Sequence, residues 1–401
     1  MRVKRLAPVV GALVALLVAA CGGGGGGASS TGGVVLGSSL SLSGSVGSFG
    51  VLQQKGYQQA MNDLNAAGGI SVGGSKQKVS LNILDNRSDP STASQQTRQL
   101  ALKNNATALL GASTPPIVVP EALVAEQQKV PFVTTNCPVL AFQSGNQGGW
   151  KYSWDLFFSE HDQATSAFSA FDLAPTNKKV ALFTDTEPDG VVERGLYKQE
   201  GAAKGYDSVG DYSFPVGTTD FSVFINDAKA KGADVVLVQM VPPDGIALWK
   251  QMRALGYAPK MALAAKAGVT DAWWQALGPI AEGSLSEGFW LPSDGRPGTS
   301  HMTSTLGKQM STTDLQFAVG AYTVVQVVAD AITKAGSTDP AKINAALAQT
   351  NKAYTFADVK FNAQHVAVTP HGVVQWTQGK TVKLIPRTGQ NPQYPAEGLK
   401  A

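Results

Sequence analysis

From residue 34 onward the chain switches between two hydrophobic periods. Residues 34–36 start an apolar strand, residues 38–50 form a Ser/Gly-rich loop, and Tyr57, Ala60, Met61, Leu64 and Ala67 then recur at helical spacing. Gly68 and Gly69 follow at once, as glycine does at a helix C-terminus. Val79, Leu81 and Ile83 alternate as a strand, 91–104 predicts a helix, and 106–111 and 130–134 predict buried strands with a helix between them. After residues 150–154 the unit restarts. Strands are predicted over 180–184, 235–239 and 260–264, and helices over 191–203, 221–228 and 246–255, the last stopped by Gly256. Strand–helix–strand repetition implies parallel sheets covered on both faces. Two further helices, over 315–335 and 340–349, must join one of two sheets. No linker-like stretch separates the halves, which predicts two α/β lobes joined by several crossings.

The N-terminus has a different grammar. Residues 1–5 carry Arg2, Lys4 and Arg5, and residues 6–18 are apolar apart from Pro8 and Gly11. That run is too short for a spanning helix, which needs about 20 apolar residues, and it fits a secretory signal. Leu17-Val18-Ala19-Ala20-Cys21 has the form of a bacterial lipobox, with Cys21 as the residue that receives the lipid. Residues 1–20 are therefore read as a lipoprotein signal peptide and 21–33 as a Gly/Ser tether. No later segment reads as transmembrane, so membrane contact is expected only through the N-terminal lipid, with the folded body outside the cytoplasm.

Charge narrows the function. The formal net charge of the 401 residues is +3, equal to the basic residues of the leader, so the mature chain is neutral. That excludes an electrostatic footprint for nucleic acid. Two cysteines, Cys21 and Cys137, exclude a disulfide framework and a cysteine-rich metal site. The four histidines are scattered, and neither a metal nor a cofactor is expected. No nucleophile elbow, P-loop, H-E-x-x-H or dinucleotide fingerprint occurs, so no catalysis is expected.

Ligands of open parallel sheets bind beyond the C-terminal ends of the strands. Here those loops are 41–50, 112–116, 134–137, 185–190, 240–244 and 265–268, which brings forward Ala112, Glu187, Asp189 and Met240. Ser113-Thr114-Pro115-Pro116 predicts a capped helix start whose free N–H groups would attract an anion. The plainer alternative is a cap with no ligand. Lys266 follows an apolar strand and is a cation for an acidic solute if it faces the cleft, or a solvated surface lysine if it does not. Cys137 reads as a packed thiol, and Phe49, Trp150, Trp154 and Trp290 as apolar walls or simply core.

Taken in order, Leu42-Ser43-Gly44 with Gly50, 65–70 (Asn-Ala-Ala-Gly-Gly-Ile), Asp85 to Asp89-Pro90, Leu110-Gly111 with Ser113, Val130-Pro131-Phe132-Val133, Asp189-Gly190, Asp220-Phe221, 232–236 and 254–257 resemble the type I periplasmic binding proteins of ABC importers. The nearest group is the leucine/isoleucine/valine-binding proteins, and the resemblance covers residues 34–390. It implies two doubly wound parallel-sheet lobes joined by a three-crossover hinge and closing on a small molecule. The lobes would be 34–152 with 291–350, and 153–290 with 351–390, leaving 391–401 as a tail. It also implies a monomer that serves an ABC permease and ATPase.

Ser113 matches the family's carboxylate-binding serine, with Thr114 beside it, and Phe49 its first-loop aromatic. Thr134, Asn136 and Cys137 fall in the next carboxylate-binding stretch, with Pro138 where the family has threonine. The acid that meets a ligand ammonium aligns at or next to Lys266, which points instead to a carboxylate with an apolar body, aromatic or aliphatic. A branched-chain amino acid is the alternative. Two other readings are a sensor reporting to a membrane receptor and a hydrolase using Asp185, Glu187 or Asp189.

Overall fold

The computed structural model describes residues 33–400 except Arg387, Tyr394 and Pro395. The leader, most of the tether and Cys21 lie outside the described residues. Gly33–Ala401 forms one compact unit.

Two sheets organise it. The first has six strands in the order Val366–Val368, Ser153–Phe157, Phe132–Thr134, Ala108–Leu110, Val34–Leu40 and Val79–Asp85. Every pairing in it is parallel. The second has seven, in the order Lys380–Ile385, Gly372–Thr377, Leu285–Gly288, Met261–Ala264, Val235–Gln239, Lys179–Asp185 and Asp207–Phe214. Its last five are parallel, and the first two add an antiparallel hairpin at one edge. The turn of that hairpin is Gln378-Gly379, both with positive φ (50° and 77°), the geometry that two-residue hairpin turns require.

The chain passes between the sheets three times: after Phe157, after Gly288, and between Val368 and Gly372. Two expected boundaries therefore move. Ser153–Phe157 pairs with Phe132–Thr134 and so belongs to the first lobe. Val366–Val368 pairs with Ser153–Phe157, which carries the third crossing to 369–371 instead of 350–351. The reason is hydrophobic: Tyr354, Phe356, Val359 and Phe361 are buried in the first lobe's core.

The helix Thr312–Ala335 belongs to that core. By length and composition it could cross a membrane, which corrects the expectation that no later segment reaches that length. It is instead mostly buried and packs along the helix Gly47–Ala66. Gly56 makes the approach possible, since a Cβ there would run into the Ala318 carbonyl. The second lobe has separate cores on its two sheet faces, one around Trp249, Trp273 and Trp376 and one around Phe168, Phe171 and Tyr197. Both sheets thus aim their C-terminal strand ends at one cleft.

Candidate ligand-binding site

A cavity of about 390 Å³, partly continuous with solvent, lies at those strand ends.

The first lobe supplies an aromatic wall. Asp85 ties the loop after the first strand by accepting from the Leu42 N–H (3.0 Å) and the Ser43 hydroxyl (2.8 Å), and the next helix then places Phe49 at the cavity. Phe49 stacks on Phe317 at 4.9 Å, and Phe317 meets Phe289 edge-on at 5.3 Å. Phe289 meets Phe157 at 5.2 Å, and Phe157 lies 4.2 Å from Phe158. Phe157 and Phe289 stand beside two of the three crossings, so wall and hinge are continuous.

Two polar side chains interrupt the wall, both on backbone with positive φ: Thr114 (68°) and Asn136 (58°). The Thr114 N–H donates to the Asn136 carbonyl (3.0 Å), locking the two loops together. The Thr114 hydroxyl and both amide atoms of Asn136 are buried with no protein partner.

The second lobe supplies an acidic wall. Asp189 and Glu193 project from one face of the helix Pro188–Ala203, with Gln163, Gln239, Lys266 and Glu287 around them. Asp189 Oδ1, both Glu193 carboxylate oxygens, Gln163 Oε1 and Gln239 Oε1 are buried without partners. Gln163 donates to Glu287, and His371 Nε2 lies 3.5 Å from the same carboxylate.

Lys266 sits at the edge of this wall and is buried. Its Nζ lies 2.5 Å from Glu187, 2.9 Å from Asp189 and 3.4 Å from Asp185. These three carboxylates converge within 4.8 Å, a geometry that suits a cation, and the Lys266 ammonium fills it. Gly190 allows the loop to fold this tightly, because a Cβ there would meet the Asp185 carboxylate. Burial opposes the charge on Lys266, but Asp185, Asp189 and Glu187 hold its pKa well above the usual lysine range. Burial pushes Asp185 up to about 7 against the pull of Lys266. Burial, reinforced by Asp189, Glu287 and Glu160, pushes Glu193 well above the usual carboxylate range.

Of the eleven residues read from the sequence as ligand-binding, Phe49, Thr114, Asn136, Asp189 and Lys266 line the cavity, and so does Pro138; Trp150, Trp154 and Trp290 are core residues outside its lining. Glu187 stands behind, on Lys266. The remaining five lie in the walls. The Ala112 N–H donates to Glu121 (3.1 Å), and the Ser113 hydroxyl donates to Gln53 (2.7 Å). Thr134 bonds backbone carbonyls, Cys137 packs in the core beneath the first sheet, and Met240 points into the second lobe's core while its neighbour Gln239 faces the cavity.

Two electrostatic expectations are corrected. Lys266 is not a free cation, because three carboxylates already surround it. The helix Pro115–Gln128 offers no amide cradle: Pro115 and Pro116 have no N–H, and the Ile117 and Val118 N–H groups donate to the Thr114 carbonyl. Nor does the Thr114 side chain cap that helix.

Glu193, Glu287, Gln163 and the phenylalanines Phe157, Phe158, Phe289 and Phe317 were missed. Glu193 was readable, since it stands one helical turn after Asp189, and Tyr197 stands one turn further on. The phenylalanines were not, because burial against a cavity and burial against a core leave the same pattern.

Two α/β lobes meeting at a polar-and-aromatic cleft define a solute-binding protein. The chain belongs to the periplasmic binding protein family, whose model matches residues 33–381. It is 25% identical to Leu/Ile/Val-binding protein homolog 3 of Brucella melitensis over 308 residues, 76% of this chain and 80% of that one. Its fold matches a leucine-binding protein of Thermotoga maritima with a TM-score of 0.77 at 21% identity, covering 87% of this chain and 97% of that one. A solute-binding protein of R. palustris solved with benzoate gives 0.75 at 18% identity, covering 88% and 96%. The chain is thus a solute-binding protein of the ABC-transporter type, related to branched-chain amino-acid binding proteins, and the family works outside the cytoplasm.

Proposed function

We propose that this chain is a lipid-anchored binding protein that captures one small amphipathic solute between its lobes and hands it to an ABC permease. Cys21 carries the lipid. The observation that supports this reading is a single cavity into which both lobes turn buried polar atoms that have no protein partner. Such atoms cost roughly 1–3 kcal/mol each when left unpaired, so a solute that pairs with them from both sides favours the closed arrangement.

The solute's apolar body faces the phenylalanine wall, and its polar end faces Asp189 and Glu193. That end is a hydrogen-bond donor or a cation, because Lys266 is neutralised and the helix start at Pro115 has no amide to offer. The sequence-based preference for an organic carboxylate therefore loses its electrostatic basis. A branched-chain amino acid is the second reading, favoured by an acidic wall suited to its ammonium group.

The protein from Ala28 onward, unfolded thermally against a panel of amino acids, amines, amides and aromatic acids, tests capture. A ligand at 100 times its Kd adds about 2.7 kcal/mol, a shift of a few degrees. Val269 also lines the cavity, so absence of any shift, or a shift that survives filling the cleft with Val269→Trp, would refute it. Cys21→Ser should abolish incorporation of labelled fatty acid; retained label would refute the anchor.

A further inference from the structure

Building on capture in this cleft, we propose that the solute is an organic monocation, an amine or amidine on an aromatic or branched apolar body, and that the site does not require an α-carboxylate. Three independent observations lead there.

The first is the charge of the cavity. Lys266 is the one cation among the described lining residues, and it is already matched by Asp185, Glu187 and Asp189. Glu193 and Glu287 add two more carboxylates. Glu193 is fully buried and both of its oxygens are unpartnered. A cation there forms a charge-assisted hydrogen bond with a group that has no protein donor. An anion would be placed beside carboxylates.

The second is how the first lobe has used its donors. The amide of Ala112, the amide of Thr114 and the hydroxyl of Ser113 are bonded to Glu121, Asn136 and Gln53. The next two residues are prolines. Among the polar side chains that line the cavity on this side, a ligand carboxylate would meet the Thr114 hydroxyl and the Asn136 amide.

The third is the wall itself. Phe157, Phe158, Phe289 and Phe317 turn aromatic surface to the same cavity, and the ring face attracts a desolvated cation as readily as it covers an apolar body. Acid groups opposite aromatic faces form a site for positive charge.

The test is isothermal titration of the protein from Ala28 onward with probes of matched body: 2-phenylethylamine, benzamidine, phenylacetate, L-phenylalanine and L-leucine. The amine and the amidine are expected to bind one to one, at least tenfold tighter than phenylacetate and either amino acid. Glu193→Gln, which keeps shape and removes the group's ability to ionise beside a bound cation, should weaken the amine about tenfold or more while the variant still unfolds cooperatively. Tightest binding by phenylacetate or by an amino acid, lost in Val269→Trp, would overturn the cation assignment and leave capture standing. Equal amine affinity in the Glu193→Gln variant would also overturn it. Binding that persists in Val269→Trp lies outside the cleft and would defeat the capture reading itself. Failure of every probe to bind folded protein would refute the assignment.

Discussion

Replacing Lys266 by methionine keeps most of the side chain's volume and removes its charge. Asp185, Glu187 and Asp189, all within 3.4 Å of the ammonium, then face one another with no counter-charge. Removing one partner of a buried ion pair typically costs about 3–5 kcal/mol, because the other is left uncompensated. For a body of this length about 0.8 kcal/mol corresponds to one degree in Tm, so a drop of about 4–6 °C is expected at pH 8. The carboxylates relieve the strain by taking up protons, and Asp185 already titrates at about 7. The drop should therefore be smaller at pH 5 than at pH 8. Lys266→Arg, which retains the charge, should lose less than half as much. Calorimetry of the three proteins at both pH values decides the matter. A Lys266→Met protein within one degree of the parent at pH 8, or a drop that grows toward pH 5, would refute the view of Lys266 as an internal counter-ion.

Native Glu193 holds a proton at pH values where the unfolded chain has released it, so stability falls as pH rises from the ordinary carboxylate pKa through the raised one. Asp185 acts in the same direction between about 4 and 7. Tm should thus decline from pH 5 to pH 8, and less steeply in Glu193→Gln; an equal or steeper decline in the variant would contradict the burial argument. Phe289→Ala opens a cavity between Phe157 and Phe317 and is expected to cost about 3–5 kcal/mol in urea unfolding together with solute binding; a loss under 1 kcal/mol would show that the wall is not closely packed. Thr114→Gly relieves a β-branched residue at φ 68°, whose strain is of order 1–3 kcal/mol, and should leave stability unchanged or higher while weakening the solute. A destabilisation above 2 kcal/mol would deny that strain.

The two-lobe plan was legible because parallel strands buried on both faces read as short apolar runs, and Val235–Gln239 was predicted with its observed bounds. The edge hairpin Gly372–Thr377 and Lys380–Ile385 escaped because its strands mix polar and apolar residues, although the Gln378-Gly379 turn was a visible cue. The third crossing was misplaced since nothing local distinguishes Tyr354 and Phe356 packed on the first lobe from the same residues on the second. Strand-end loops led to five cavity residues. What they could not disclose was pairing: Lys266 looked like a free cation until Glu187 and Asp189 were brought against it by the turn at Gly190. The two prolines at 115 and 116 were plain in the sequence, and their missing N–H groups already argued against an amide cradle.

The most direct test of the account is to isolate the protein from cells that make it, without denaturant, and weigh it by native mass spectrometry before and after unfolding. The account predicts one small molecule per chain, released on unfolding and identified as an amine or amidine with an apolar body. A released carboxylic acid or α-amino acid would contradict it.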